Sequence, residues 1–219
     1  MKIGFVGGTG YIGEGLSLRW AKKGHEIFIG SRNKEKAKRA FKKYNKKLGK
    51  GYKDKLNYGL NKDAILESEL VVISLPAKVI KKALEDLKKH FRNEIVVSPV
   101  APLYKSDNVF KCKNTCAALK IQDILPSSTK VVSAFHSVPA SHLKDTEKNL
   151  NCDVVVCGDD ENSKSTVKSL AEEIKGVRCL NGGPLSVSKL CESLTPLLIN
   201  LSIRNELEDP SVKFIDFSD

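Results

Sequence analysis

Short apolar runs alternate with longer amphipathic stretches along this chain. Ile3-Gly4-Phe5-Val6, Ile27-Phe28-Ile29, Leu70-Val71-Val72-Ile73, Val96-Val97, Val131-Val132 and Val154-Val155-Val156 are too short for helices. Runs that are apolar at consecutive positions suit parallel strands covered on both faces. They predict strands over about 2–6, 26–30, 70–74, 94–97, 130–134, 153–157 and 177–180, with a further short strand near 56–60. The intervening patterns predict helices over about 11–23, 33–47, 61–68, 76–90, 115–125 and 160–175. In one of them Val79, Ile80, Ala83, Leu84 and Leu87 form a stripe behind Pro76, a residue suited to a helix start. Residues 101–112 read as a loop. A last helix is expected from Gly182-Gly183-Pro184 to about 205, with Leu190, Leu194, Leu197, Leu198 and Leu201 on one side. Such a stripe is ordinarily core, and so apolar a terminal helix also suits packing against a second subunit.

Strands joined by helical crossovers demand a parallel sheet with helices on both faces. The expected architecture is therefore α/β, a doubly wound and mainly parallel Rossmann-type sheet with a C-terminal α/β extension. A single domain over residues 1–219 is expected, with a nucleotide-binding core over 1–135 and the remainder over 136–219.

The first strand runs into Gly7-Gly8-Thr9-Gly10-Tyr11-Ile12-Gly13. Gly8, Gly10 and Gly13 fit the G-x-G-x-x-G spacing that lets a turn approach a pyrophosphate at a helix N-terminus. The spacing alone is weak evidence. Its position after a strand, with a second strand at the right distance, points to a dinucleotide. That second strand ends in Gly30-Ser31-Arg32, with no acid to accept a ribose 2′-hydroxyl. Ser31 and Arg32 instead supply donors for a 2′-phosphate, with Lys34, Lys36 and Lys38 close behind on the next helix, so the nucleotide expected is NADP(H). Lys34 and Lys38 read as a solvated face.

Composition adds a charge asymmetry. The chain of 219 residues carries 37 Lys and Arg against 26 Asp and Glu, a net charge of +11. Residues 1–110 hold 24 basic and 11 acidic side chains, and residues 111–219 hold 13 and 15. The basic segment 32–55 has few interleaved aromatics, Phe41, Tyr44 and Tyr52, and no nucleic-acid motif accompanies it. It reads as a lysine-rich helical face that also attracts polyanionic small molecules, rather than as a nucleic-acid surface. No apolar run approaches a membrane span, and no export signal precedes the first strand, so a cytoplasmic protein is expected. The six cysteines form no C-x-x-C pair and stand near no histidine cluster, so no metal site is expected.

Further segments carry a resemblance. The glycine turn, Gly24-His25-Glu26, Gly30-Ser31-Arg32, Val96-Val97-Ser98-Pro99, Val131 to Ala140, Val156 to Asp160 and Glu192 to Leu197 occur together in this order. In this the chain resembles the coenzyme F420-dependent NADP reductases of archaea, over nearly its whole length. The resemblance implies reversible hydride transfer between NADPH and the deazaflavin ring of F420, within a homodimer. It implies that Thr9, Gly10, Tyr11 and Ile12 form the pyrophosphate turn. Ser31, Arg32 and Lys36 would hold the 2′-phosphate. Leu75, Val79, Val100 and Ala134 would lie along the ribose and nicotinamide. His136, Val138 and Pro139 would border the deazaflavin, with His136 a candidate hydrogen-bond donor to it. Residues 136–219 would complete the deazaflavin cleft. At the C-terminus this chain has Pro210-Ser211-Val212-Lys213-Phe214 where the family pattern runs Leu-Gly before the closing Lys-Phe, so no cofactor contact is assigned there.

Hydride transfer between two cofactors needs alignment and exclusion of water more than acids or bases, and no catalytic residue is named. Two other readings compete. A short-chain dehydrogenase needs Tyr-x-x-x-Lys, and Tyr58 and Lys62 have that spacing but stand too early in the chain to face a nicotinamide. A non-enzymatic NADP(H) sensor would share the glycine turn and is separated only by activity.

Overall fold

The computed structural model describes residues 1–217. An eight-stranded sheet forms its centre. In chain order, β1 (Lys2–Val6), α1 (Tyr11–Lys22), β2 (Glu26–Ser31), α2 (Lys34–Leu48), β3 (Leu56–Leu60), α3 (Asn61–Leu66), β4 (Leu70–Ile73), α4 (Ala77–Leu87) and β5 (Ile95–Ser98) build the first part. A hairpin of β6 (Leu103–Ser106) and β7 (Val109–Cys112) leads to α5 (Ala117–Ile124) and β8 (Lys130–Ser133). Then come α6 (Ala140–Leu143), β9 (Cys152–Gly158), α7 (Glu161–Glu172), β10 (Val177–Gly183), α8 (Ser188–Glu192) and α9 (Leu194–Asn205). The strand order is β10-β9-β8-β5-β4-β1-β2-β3. No helix among the described residues is long and apolar enough to cross a membrane.

Apolar residues at consecutive strand positions supply two cores, one on each face of the sheet. Phe5, Val72, Val97 and Val132 point to one side, where Trp20 of α1 packs. Val6, Val71, Val96 and Val131 point to the other, beneath α4 and α5. The period-2 alternation of strand side chains makes this division. Trp20 joins the first core through Phe5 and Phe135, ring centroids 6.0 and 5.9 Å away, and donates its indole N–H to the Leu170 carbonyl at 2.8 Å.

Three features depart from expectation. First, β9 pairs antiparallel with β8, although all other neighbours in the sheet are parallel. The connection over residues 134–151 contains only the short α6, not a full crossover helix. The chain therefore starts β9 at the edge where β8 ended. Buried Arg19 pins this connection by donating to the carbonyls of Leu143, Asp145 and Lys148.

Second, residues 103–112 are a hairpin, not a loop. Asp107 and Asn108 turn it with φ of 51° and 60°, a left-handed pair that these residue types tolerate. It is clamped to α9 by Asn200, whose side chain accepts from the Phe110 N–H and donates to the Phe110 carbonyl.

Third, the terminal helix is broken into a 3-10 turn, α8 and α9, and its stripe is not core. Leu198 is buried, but Leu190, Leu197 and Leu201 are exposed. The break is stabilised by fully buried Glu192, which accepts from the Ala117 and Ala118 N–H groups at the start of α5.

Candidate nucleotide and deazaflavin site

The turn between β1 and α1 shows why its glycines recur at their spacing. Gly7 has φ of 82°, and a Cβ at Gly13 would stand 2.8 Å from the backbone of Gly8. Those positions are set by the turn and by helix packing. Gly10 is different. Its φ of −91° and ψ of 179° suit any residue, and a Cβ there would meet nothing within 4 Å. Neither strain nor packing requires glycine, and no side chain at this N-cap satisfies the first-turn amides of α1. A bare N-cap beside open space is what a pyrophosphate needs to reach the amides and positive end of a 12-residue helix.

The turn is held from behind by two side chains that the sequence pattern did not single out. Asn61, at the start of α3, accepts from the Gly7 N–H at 3.1 Å. Buried Tyr44 of α2 donates to the Gly8 carbonyl at 2.9 Å. The basic helix α2 therefore serves more than solvation. Its Lys43 and Lys47 each approach the Glu14 carboxylate of α1 at 2.6 Å. Burial pushes the Glu14 carboxyl up, and the two ammonium groups outweigh it and hold the group below its usual range.

Thr9, Gly10, Tyr11 and Ile12 follow one another at this turn, with Tyr11 70% exposed. Ser31 is buried at the end of β2 and Arg32 exposed beside it. Both line a pocket of about 340 Å³. Lys36 does not line it; it sits exposed in the first turn of α2. Lys62, Lys89 and His90 border the same pocket and bring cationic or donor groups from α3 and the 3-10 turn after α4, with Asp86 the one acid. Lys62 was legible from its place just after β3, since strand ends line the site of such a sheet. Lys89 and His90 gave no such signal. Tyr58, the partner in the Tyr-x-x-x-Lys spacing, packs at a tilt against Phe41, ring centroids 4.9 Å apart, along the far edge strand.

At the other end of the crevice, Leu75 touches the glycine turn, since a Cβ at Gly7 would stand 2.5 Å from its side chain. Val79 lies half-buried in the first turns of α4, and Val100 and Ala134 are buried past β5 and β8. His136 Nε2 lies 3.2 Å from the Val100 carbonyl oxygen. A carbonyl can only accept, so Nε2 carries the proton. Burial drives the imidazole pKa down to about 4, leaving the ring neutral. Nδ1 is buried without a protein partner. Enclosed in this way, it offers the pocket no free N–H.

His136 and Val138 line a pocket of about 270 Å³ together with Thr195 and Leu198 of α9. Pro139 is buried beside it but is not among the lining residues. Thr195 donates its hydroxyl to the His136 carbonyl at 2.8 Å and fixes this segment. The C-terminal tail also takes part. Asp209 and Pro210 line the pocket, and Val212 accepts from the Asp153 N–H at 2.8 Å, which ties the tail to β9.

The parallel sheet, the glycine turn and an acid-free end of β2 define a dinucleotide-binding α/β protein of the NADP type. A family described as NADP oxidoreductase, coenzyme F420-dependent, matches residues 2–102. The F420-dependent NADP reductase of Methanocaldococcus jannaschii is 39% identical over 219 residues, 97% of each chain. That of Methanothermobacter thermautotrophicus is 30% identical, over 97% of this chain and 94% of its own. A crystal structure titled as a putative F420-dependent NADP reductase from Arthrobacter sp. FB24 superposes with a TM-score of 0.83. It covers 99% of this chain and 100% of its own at 22% identity, a likeness of fold. The chain belongs to the coenzyme F420-dependent NADP oxidoreductase family.

Proposed function

We propose that the protein transfers a hydride reversibly between NADP(H) and the deazaflavin of coenzyme F420. The reading rests on near full-length similarity to F420-dependent NADP reductases, in a sheet whose β2 ends in Ser31-Arg32. Thr9, Gly10, Tyr11 and Ile12 take the pyrophosphate. Ser31 and Arg32 take the 2′-phosphate, with Lys62 beside them from α3; Lys36, exposed on α2 outside the pocket, would have to swing toward it. Leu75, Val79, Val100 and Ala134 line the ribose and nicotinamide, and His136, Val138 and Pro139 border the deazaflavin. The hydride moves between nicotinamide C4 and deazaflavin C5, and a deazaflavin ring nitrogen exchanges the accompanying proton with solvent. The two cofactors carry both reacting carbons, so the protein supplies alignment and shields those carbons from water. The decisive assay is whether purified protein oxidises NADPH only when F420 is present. Binding of both without deazaflavin reduction would leave a nucleotide sensor.

In this reading His136 stays neutral and holds the segment beside the deazaflavin through its bond to the Val100 carbonyl. Its pKa of about 4 lies below the ordinary imidazole value. The pH profile of kcat/KM for F420 should therefore show no imidazole step between about pH 5.5 and 8. An inflection near pH 6.5 that vanishes in His136→Asn would show that the ring titrates in the working enzyme.

The unit is proposed to be one domain over residues 1–219 in a reducing cytoplasm, where its six thiols stay free. It is proposed to act as a homodimer. Leu197 and Leu201 of α9, one turn apart, are 51% and 39% exposed, an apolar face that a second copy would cover. Light scattering should give the mass of two chains for the wild type and of one for Leu197→Glu. A monomeric wild type would refute the dimer.

A further inference from the structure

One further cavity belongs to neither of these pockets. It holds about 380 Å³ between the first turns of α4 and helix α5. Ile80, Leu103, Ala117 and Ile124 give it an apolar floor. Lys78, Lys81, Lys113 and Lys120 stand around it, all exposed, with Asp123 the one acid. None of the four lysines takes part in an ion pair among the described residues. Four unneutralised ammonium groups over an apolar floor complement an anionic ligand with hydrocarbon between its charges.

The cavity adjoins the proposed hydride-transfer cleft. Its Ala77 follows Leu75-Pro76 out of β4, and its Pro102 follows Val100-Ala101 out of β5. Val100 is the residue whose carbonyl holds His136, past the end of β8. Since β4, β5 and β8 are neighbours about 4.8 Å apart, the cavity mouth and the deazaflavin border lie within roughly 10 Å. The NADP 2′-phosphate has its own donors at Ser31 and Arg32 and shares no lining residue with this cavity.

We propose that this cavity seats the side arm of F420, its phosphate and acidic tail, while the ring sits by His136. The assignment rests on the F420 reading above and names residues for a part of the co-substrate that reading leaves unplaced. The arm's methylene segments would lie on Ile80 and Leu103 while its phosphate and carboxylates meet the lysines. This gives Lys78 and Lys81, part of the basic surplus of the first half, a local use besides long-range steering.

The test compares F420 with the same deazaflavin lacking phosphate and tail. In Lys81→Glu/Lys120→Glu, KM for F420 should rise about 10-fold or more, because two attractions become repulsions. KM for the tail-less deazaflavin and for NADPH should stay within about twofold, and this internal control also reports a folded enzyme. In the wild type, added salt should raise KM for F420 more steeply than KM for the tail-less form. If the double variant fails to fold, the single variant Lys120→Gln and that salt comparison carry the test. Equal rises for both deazaflavins, or no rise for F420, would overturn the proposal. Failure of the wild type to reduce either deazaflavin would instead overturn the F420 reading itself.

Discussion

Replacing Arg32 by alanine should raise KM for NADPH about 10- to 100-fold and leave KM for NADH nearly unchanged. Each hydrogen bond between a guanidinium and a phosphate contributes about 1.5–3 kcal/mol, and 1.4 kcal/mol is a factor of ten. Arg32 is exposed in the structure, so its removal leaves no buried partner stranded and should not unfold the protein. Its neighbours make the effect finite. Ser31, Lys62 and Lys89 border the same pocket and retain part of the attraction for the phosphate. Steady-state kinetics with both nucleotides decides the matter. Equal losses with NADPH and NADH would mean that Arg32 supports the turn and does not read the phosphate.

Gly10→Val should cost more, and should separate binding from folding. A side chain at Gly10 meets no protein atom within 4 Å, so the fold accepts it. At an N-cap, the loss of glycine costs on the order of 1 kcal/mol, a few degrees in Tm for a chain of this size. The valine methyl groups would fill the space in front of the α1 amides. Losing two charge-assisted contacts there raises KM for NADPH at least about 100-fold. Gly13→Ala supplies the contrast, since its Cβ would stand 2.8 Å from Gly8 backbone and must shift the turn itself. Calorimetry and NADPH titration on the two variants should therefore give opposite orders of damage. A Gly10→Val protein that binds NADPH normally would remove the pyrophosphate from this turn.

The sequence was most legible where one local rule decides the structure. Strands apolar at consecutive positions announced a doubly covered parallel sheet, and the glycine spacing announced the turn. The end of β2 is a fixed place in such folds, so the positions of Ser31 and Arg32 were also legible there. It was least legible where distant segments decide. The hairpin over 103–112 has no apolar alternation, with Lys105 and Lys111 among its eight strand residues, and its clamp is Asn200, 90 residues away from Phe110. Only Asp107-Asn108 signalled it. Asn61 and Tyr44 hold the glycine turn across 54 and 36 residues, and neither belongs to a motif. The leucine spacing in the last helix was real, but a stripe looks the same whether it faces a core or the outside. For His136 the residue was legible and its polarity was not. Which nitrogen holds the proton follows from the Val100 carbonyl, which only the folded chain brings near.

The central claim is direct hydride transfer between two bound cofactors without a protein acid or base. It is tested most directly by single-turnover mixing of the enzyme with F420 and NADPH deuterated at the transferred C4 position. Direct transfer predicts one deuterium on C5 of the reduced deazaflavin and none in the solvent, with NADPH oxidation and deazaflavin reduction at one rate. Loss of the label to water, or oxidation of NADPH without reduction of the deazaflavin, would contradict it.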